Sequence, residues 1–304
     1  MAYRRGAFIG LEINPECISA VELGPPGREI ILKRYGKIEP PPLLINPSLI
    51  DENIKDAENF KVVIRGLFNS AGINSRNISL ALPDSSVKVS FLEFGDIPDD
   101  RGKIIELIKW NLKKTLPFPP DEASVDFQII DTPSKESRSY RLLVALTRKA
   151  VLAQYESLLN ACNLYPDVIV PSSFAVYNLY HDSFSEDEVC ALLMLSRNRV
   201  TVMVARHGKL CFYRNKETGD EKDSFREILA SLNYYHDVYG DMPVAAYLIA
   251  GGFESAGFRA EIERHFGGIT VKHISMDNIV KGVDPSMDIF SGAAGAALRD
   301  DNNS

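Results

Sequence analysis

The chain has 304 residues, is 45% hydrophobic and 25% charged, and carries a formal net charge of −7. This describes a globular protein of two domains, or of one large subdivided domain. It argues against a nucleic-acid binder that relies on phosphate contacts, since the densest basic hints are only Tyr3-Arg4-Arg5 and Lys113-Lys114.

In chain order, an apolar strand (Ala7–Ile13) meets a polar turn (Asn14, Pro15, Glu16) and a second strand (Cys17–Leu23), a hairpin pattern. The first strand is apolar almost throughout, which places it mid-sheet and buried on both faces. Glu12 interrupts it near its end and reads first as a solvated edge charge; its other reading is a carboxylate that holds a metal or a water over a phosphate. Glu29–Gly36 completes a three-stranded meander, Pro40-Pro41-Pro42 is extended linker, and Asn59–Ala71 has helical apolar spacing with Gly72 as C-cap.

Strands are predicted at Asn77–Leu82 and Val87–Phe94, a helix at Asp99–Leu116, and strands at Ala123–Ile130 and Tyr140–Leu146 with a polar loop at Thr132–Ser139. A helix at Val151–Cys162, a strand at Asp167–Val170 and a helix at Pro171–Tyr180 follow. Polar Ser183–Glu188 marks a boundary. A second meander then begins, Val189–Leu195, Arg199–Ala205 and Lys209–Asn215, leading to a helix at Asp223–Tyr239. The βββα unit therefore occurs twice, an internal repeat. Met242–Ala250 is a buried-type strand running into Gly251-Gly252 and a helix to Phe266; Thr270–His273 is a short strand, and Ile289–Arg299 a small-residue helix that can pack tightly.

Cys17, Cys162, Cys190 and Cys211 form no CxxC pair, which suits a reducing compartment and gives no zinc framework. His265 and His273 are too far apart for one helical face, so no metal site is expected. The longest apolar runs fall short of the ~20 residues that span a bilayer, and Glu12 breaks any secretory h-region. The expected location is cytoplasmic. Ser172-Ser173 lacks the glycine frame of a nucleophile elbow and reads as a helix N-cap. No P-loop or dinucleotide fingerprint is present.

Three stretches resemble one family in order and spacing: Val21-Glu22-Leu23; Ile108-Lys109-Trp110 through Leu116-Pro117-Phe118 with Val125-Asp126-Phe127 after it; and Gly295-Ala296-Ala297-Leu298-Arg299. Together with the βββα repeat they resemble the PilM family, the actin-like component of type IV pilus assembly, and more distantly the cell-division protein FtsA. The resemblance implies an α/β, actin-like fold, a duplicated ribonuclease H-like βββα core in two lobes with a small inserted subdomain. The first lobe would take residues 1–82, 166–184 and 284–304, the insert 83–165, and the second lobe 185–283.

It also implies a nucleotide cleft, with Glu12 and Asn14, Ser196 and Arg197, and Gly251 and Gly252 on its loops. The departures are specific. Where the family's first phosphate loop reads Asp-x-Gly, this chain has Glu12-Ile13-Asn14, followed by Pro15, which lacks an N–H donor. Where the second has Asp and Gly, it has Leu195 and Arg197, and leucine offers no oxygen to a hard cation. The expectation is a degenerate ATP site, not an enzyme, with no cofactor unless ATP binds without metal. Arg197 or Arg199 could pair with a phosphate, although both read first as turn charges in water. The runner-up is an active ATPase with Glu12 as its metal-side carboxylate. A degenerate sugar kinase is third and lacks a phosphoacceptor-base motif.

The family further implies capture of the cytoplasmic N-terminal peptide of a bitopic inner-membrane partner, PilN, between the first subdomain and the insert. Val87, Val89, Phe91, Trp110 and Phe118 are the apolar candidates for that groove, each of which could equally be core. Trp110 lies off the main stripe of its helix and is the best exposed anchor. The implied role is a scaffold of a type IV pilus or type II secretion platform, with other platform proteins as further partners. It would be attached to the inner membrane only through a partner, since no amphipathic basic helix is evident.

Overall fold

The computed structural model describes residues 8–25, 29–133, 138–250 and 255–298. Its elements are β1 (Phe8–Ile13), β2 (Ile18–Leu23), β3 (Ile30–Ile38), α1 (Ala57–Ala71), β4 (Asn77–Leu82), β5 (Lys88–Phe94), α2 (Arg101–Leu112), β6 (Ala123–Asp131), β7 (Tyr140–Arg148), α3 (Lys149–Asn160), β8 (Tyr165–Pro171) and α4 (Ser172–Tyr180). Then come β9 (Val189–Ser196), β10 (Arg199–Arg206), β11 (Lys209–Glu217), α5 (Glu221–Tyr239), β12 (Ala245–Ala250), α6 (Ser255–Phe266), β13 (Thr270–His273), β14 (Val280–Lys281) and α7 (Ser291–Ala297).

Two sheets repeat one plan. The first runs β14-β3-β2-β1-β4-β8 and the second β11-β10-β9-β12-β13. In each, an antiparallel meander continues into two parallel strands. β1 is central, and Leu11 and Ile13 are fully buried, as an apolar strand between two neighbours must be. Each such side chain contributes about 1.5–3 kcal/mol relative to exposure. The short β14, which alternation did not predict, extends the first sheet by pairing with Ile30 and Ile31 of β3.

A third sheet, β5-β7-β6, is antiparallel and lies between the repeats in sequence. α2 covers one of its faces through Ile104, Ile108 and Leu112, packed with Leu92, Phe94 and Leu142. Asp100 caps α2 by accepting from the Lys103 N–H at 2.9 Å. The helix stops at Leu112, four residues short of expectation, and Thr115 and Leu116 turn back onto the Leu112 carbonyl. Leu116 still packs on this core, which is why the apolar stripe outlasts the helix.

α7 is short and buried along its whole length. Its sequence SGAAGAA lets it lie directly on β1 and α4. A Cβ built on Gly295 would overlap the Ala175 carbonyl of α4, and one on Gly292 would overlap the Glu12 carboxylate. Close approach, not conformational freedom, requires glycine at both positions.

Candidate functional site

β1, β4 and β8 are parallel neighbours, so their carboxyl ends lie side by side. Those ends carry Glu12, Asp84 and the pair Ser172-Ser173. In α/β sheets this rim is where ligands collect.

Glu12 is not the solvated edge charge its sequence context suggests. Only 8% of it is exposed, because α7 closes over the end of β1. Asn14 Nδ2 donates to its Oε1 at 2.8 Å, Ser172 Oγ makes a short bond to the same oxygen, and Ser19 Oγ reaches Oε2 at 3.5 Å. Burial pushes its acid up to about 7, the Ser172 and Asn14 bonds oppose this, and the neighbouring charge of Asp84 adds to it. The Asn14 backbone N–H is engaged as well, closing the turn onto the Cys17 carbonyl at 3.1 Å.

Asp84 sits two residues beyond β4. It accepts from the Ser173 N–H at 3.1 Å, the Ser173 hydroxyl at 2.7 Å and Asn215 Nδ2 at 3.4 Å. Burial raises its acid, opposed by the Ser173 bonds and by the positive charge of Arg199. The two serines are therefore not helix caps. Pro171 occupies the N-cap of α4 with no side-chain bond, and the Ser172 hydroxyl bonds the buried carboxylate of Glu12 while the Ser173 hydroxyl bonds the half-buried carboxylate of Asp84.

The second lobe contributes β10 and β11. Asn215 also donates to Thr201 Oγ1 at 2.6 Å, and its Oδ1 receives a short bond from Arg199. Arg199 in addition pairs with Glu217 at 2.5 Å, with 20% of its side chain exposed. It is thus a half-buried bridge and not a turn charge in water. Arg197 is exposed on the turn, as expected, and Ser196 Oγ donates to the Arg199 carbonyl at 3.3 Å. Leu195 is buried in the second-lobe core. Gly251 and Gly252 lie outside the described residues.

A cleft of about 410 Å³ opens beside Asp84. Asp84, Ser85, Val87, Lys88 and Val89 line one side, and Tyr213, Arg214 and Asn215 of β11 the other. The five groove candidates are divided among four surroundings. Val87 and Val89 face this cleft, and Phe91, on the same face of β5, packs towards the second lobe. Phe118 is buried in the core under α2, and Trp110 is 74% exposed on α2. β5 is an edge strand, paired with β7 alone among the described residues.

The insert is fastened on both sides. Towards the second lobe, Arg141 of β7 donates to the Cys211 carbonyl at 2.7 Å, bonds the Tyr239 hydroxyl and stacks over Phe91. Lys209 pairs with Asp131 at 3.0 Å. Towards the first lobe, Asn53 is completely buried. It accepts from Ser86 Oγ and Tyr155 OH and donates to the Ser48 and Asp51 carbonyls. Gln154 of α3 bonds both backbone groups of Ile54 in the manner of a strand partner.

Asp84, Ser172, Ser173, Asn215 and Tyr213 were missed as site residues. One signal was available: Pro83-Asp84 and Pro171-Ser172-Ser173 each follow a buried strand, as Asn14-Pro15 does after β1.

Two equivalent βββα sheets with a cleft at their strand ends define an actin-like fold. A solved Bacteroides thetaiotaomicron protein with an actin-like ATPase fold and unknown function superposes with TM-score 0.55 at 9% identity, covering 94% of each chain. The cytoplasmic domain of EpsL, an inner-membrane component of the Vibrio cholerae type II secretion system, does so with TM-score 0.55 at 10% identity, covering 96% of this chain and 95% of that one. A PilM–PilN type IV pilus biogenesis complex matches with TM-score 0.81 at 21% identity, covering 97% of this chain and 99% of the other. The model for type IV pilus assembly protein PilM matches residues 10–237. The chain belongs to the PilM family.

Among the described residues, no helix is long and apolar enough to cross a membrane, and no group of three His, Cys, Asp or Glu side chains is placed to hold a metal ion.

Proposed function

We propose that this protein is an adaptor of a type IV pilus or related secretion platform, and that it captures the cytoplasmic tail of a bitopic PilN-like partner in extended form. The observation that carries this reading is the unpaired edge of β5 beside a cleft walled by Val87 and Val89. An extended peptide can add to such an edge through main-chain hydrogen bonds while alternate side chains enter the cleft. The cleft differs in place from the family expectation, because its far wall is β11 of the second lobe. Its attachment to the inner membrane follows from the partner.

The test is titration of a labelled N-terminal tail peptide of the partner, read by anisotropy. Val89→Asp is expected to weaken binding by about tenfold or more, since it places a charge on an apolar wall. Equal binding by the variant would remove the cleft from the mechanism.

We infer in addition that the nucleotide site is degenerate and that the protein is not an ATPase. Support comes from Glu12, whose oxygens are already taken by Asn14, Ser19 and Ser172, and from Leu195, which is turned into the core. The convergence of two carboxylates with raised acids, buried Glu12 and half-buried Asp84, on one rim favours the competing ATPase reading. Calorimetry with ATP, with and without Mg²⁺, separates the two. Absence of binding at millimolar ATP supports the adaptor alone; tight Mg²⁺-dependent binding supports the ATPase.

A further inference from the structure

α2 packs on the inserted sheet through Ile104, Ile108 and Leu112, so the residues half a turn away form its outer face. That face carries Lys103, Glu106 and Trp110, and Lys113 and Lys114 follow in the turn after the helix, all exposed. Trp110 is 74% exposed, and no ion pair engages Lys103, Lys113 or Lys114 among the described residues. Glu106, the acid on the outer face of the helix, is held by Lys109 at 2.9 Å, and the exposed Asp99 and Asp100 lie at the opposite end of the helix from Lys113 and Lys114. A chain of net charge −7 thus presents a locally cationic surface around its single tryptophan.

We propose that this face rests on an anionic lipid surface, with Trp110 at headgroup level and Lys103, Lys113 and Lys114 against lipid phosphates. The chemistry fits a bilayer better than an acidic peptide. An indole with an apolar body and one N–H donor suits the membrane–water interface, and lysine stems extend their charges towards phosphates. The face is the convex side of a helix. It also lies on the opposite side of the inserted sheet from the Val87–Val89 cleft, because Leu92 and Phe94 point towards α2 while Val89 points away. The lipid contact is therefore independent of peptide capture.

The test uses the full chain without partner. Vesicles of phosphatidylcholine alone, or mixed with phosphatidylglycerol, are added while the emission of Trp110, the only tryptophan, is followed. The expected result is a blue shift and quenching by brominated lipid with the mixed vesicles only, reversed by salt. Lys113→Glu/Lys114→Glu is expected to lower vesicle affinity by about tenfold or more. Both sites are exposed, and an unchanged thermal melt verifies folding. No shift with anionic vesicles, or binding that the double variant leaves unchanged, would overturn the proposal. A shift with polyglutamate as large as that with vesicles would also overturn it and assign the face to an acidic protein. None of these outcomes bears on the tail-peptide titration.

Discussion

The carboxylate of Glu12 occupies the space in which any side chain at position 292 would begin. A residue near the start of the chain and one near its end thus share a single volume, and α7 has glycine there because β1 has glutamate. Gly292→Ala is expected to cost about 1–3 kcal/mol through overpacking, and Gly295→Ala at least as much, because it meets the fixed carbonyl of Ala175. Gly66→Ala on α1 has open space and is expected to be neutral or stabilising by about 0.5–1 kcal/mol. Urea unfolding of the three variants gives this ranking; equal effects would contradict the close approach.

The pH dependence of stability follows from Glu12. Its acid is raised to about 7 in the folded protein from an ordinary 4.5. A raised group stabilises the fold fully below the unfolded value, and this contribution is lost as pH rises through the folded value. Stability should therefore fall between about pH 4.5 and 7 by on the order of 3 kcal/mol from this residue. Asp84, also raised, acts in the same direction. Glu12→Gln, which cannot ionise, should be more stable than the parent at pH 8 and nearly equal at pH 5 by urea midpoints. A parallel pH profile for parent and variant would mean that Glu12 stays ionised.

Arg141→Ala is expected to lose about 1.5–3 kcal/mol, the usual worth of charge-assisted hydrogen bonds. A double-mutant cycle with Tyr239→Phe should return a coupling of about 0.5–3 kcal/mol, measured as shifts in unfolding midpoint. Additive effects would show that the two side chains act separately.

Asn53→Ala removes the partner of two backbone carbonyls and two hydroxyls in a fully buried site. Each group left unsatisfied costs about 1–3 kcal/mol, so this variant should be the least stable of the single substitutions. A shift in melting temperature smaller than that of Arg141→Ala would argue that water enters and replaces the amide.

What could be read from the sequence was local. Asn77–Leu82 and Thr270–His273 match β4 and β13 because each is a short apolar or β-branched run with turn residues on both sides. The repeated meander was legible because alternation and turn chemistry are properties of neighbouring residues. Glu12 was misjudged because its burial depends on α7, about 280 residues further on. Ser172 and Ser173 were misjudged because their partners stand at the ends of other strands. Arg199 looked like a turn charge because Glu217 and Asn215 become its neighbours only through the pairing of β10 with β11. β14 has two residues and no periodicity to detect. Gly251 and Gly252 lie outside the described residues.

Two lobes joined only at their shared strand ends would swing like the covers of a book. Here the insert is tied to one cover through Asn53 and to the other through Arg141, so the three bodies form a closed triangle of struts. A triangle cannot change one angle without breaking a side. Of the two ties, the Arg141 seam is the one that borders β5, since Arg141 stacks over Phe91 of β5 and donates to the Cys211 carbonyl of β11. A pull on anything held in that cleft would be felt first at Arg141.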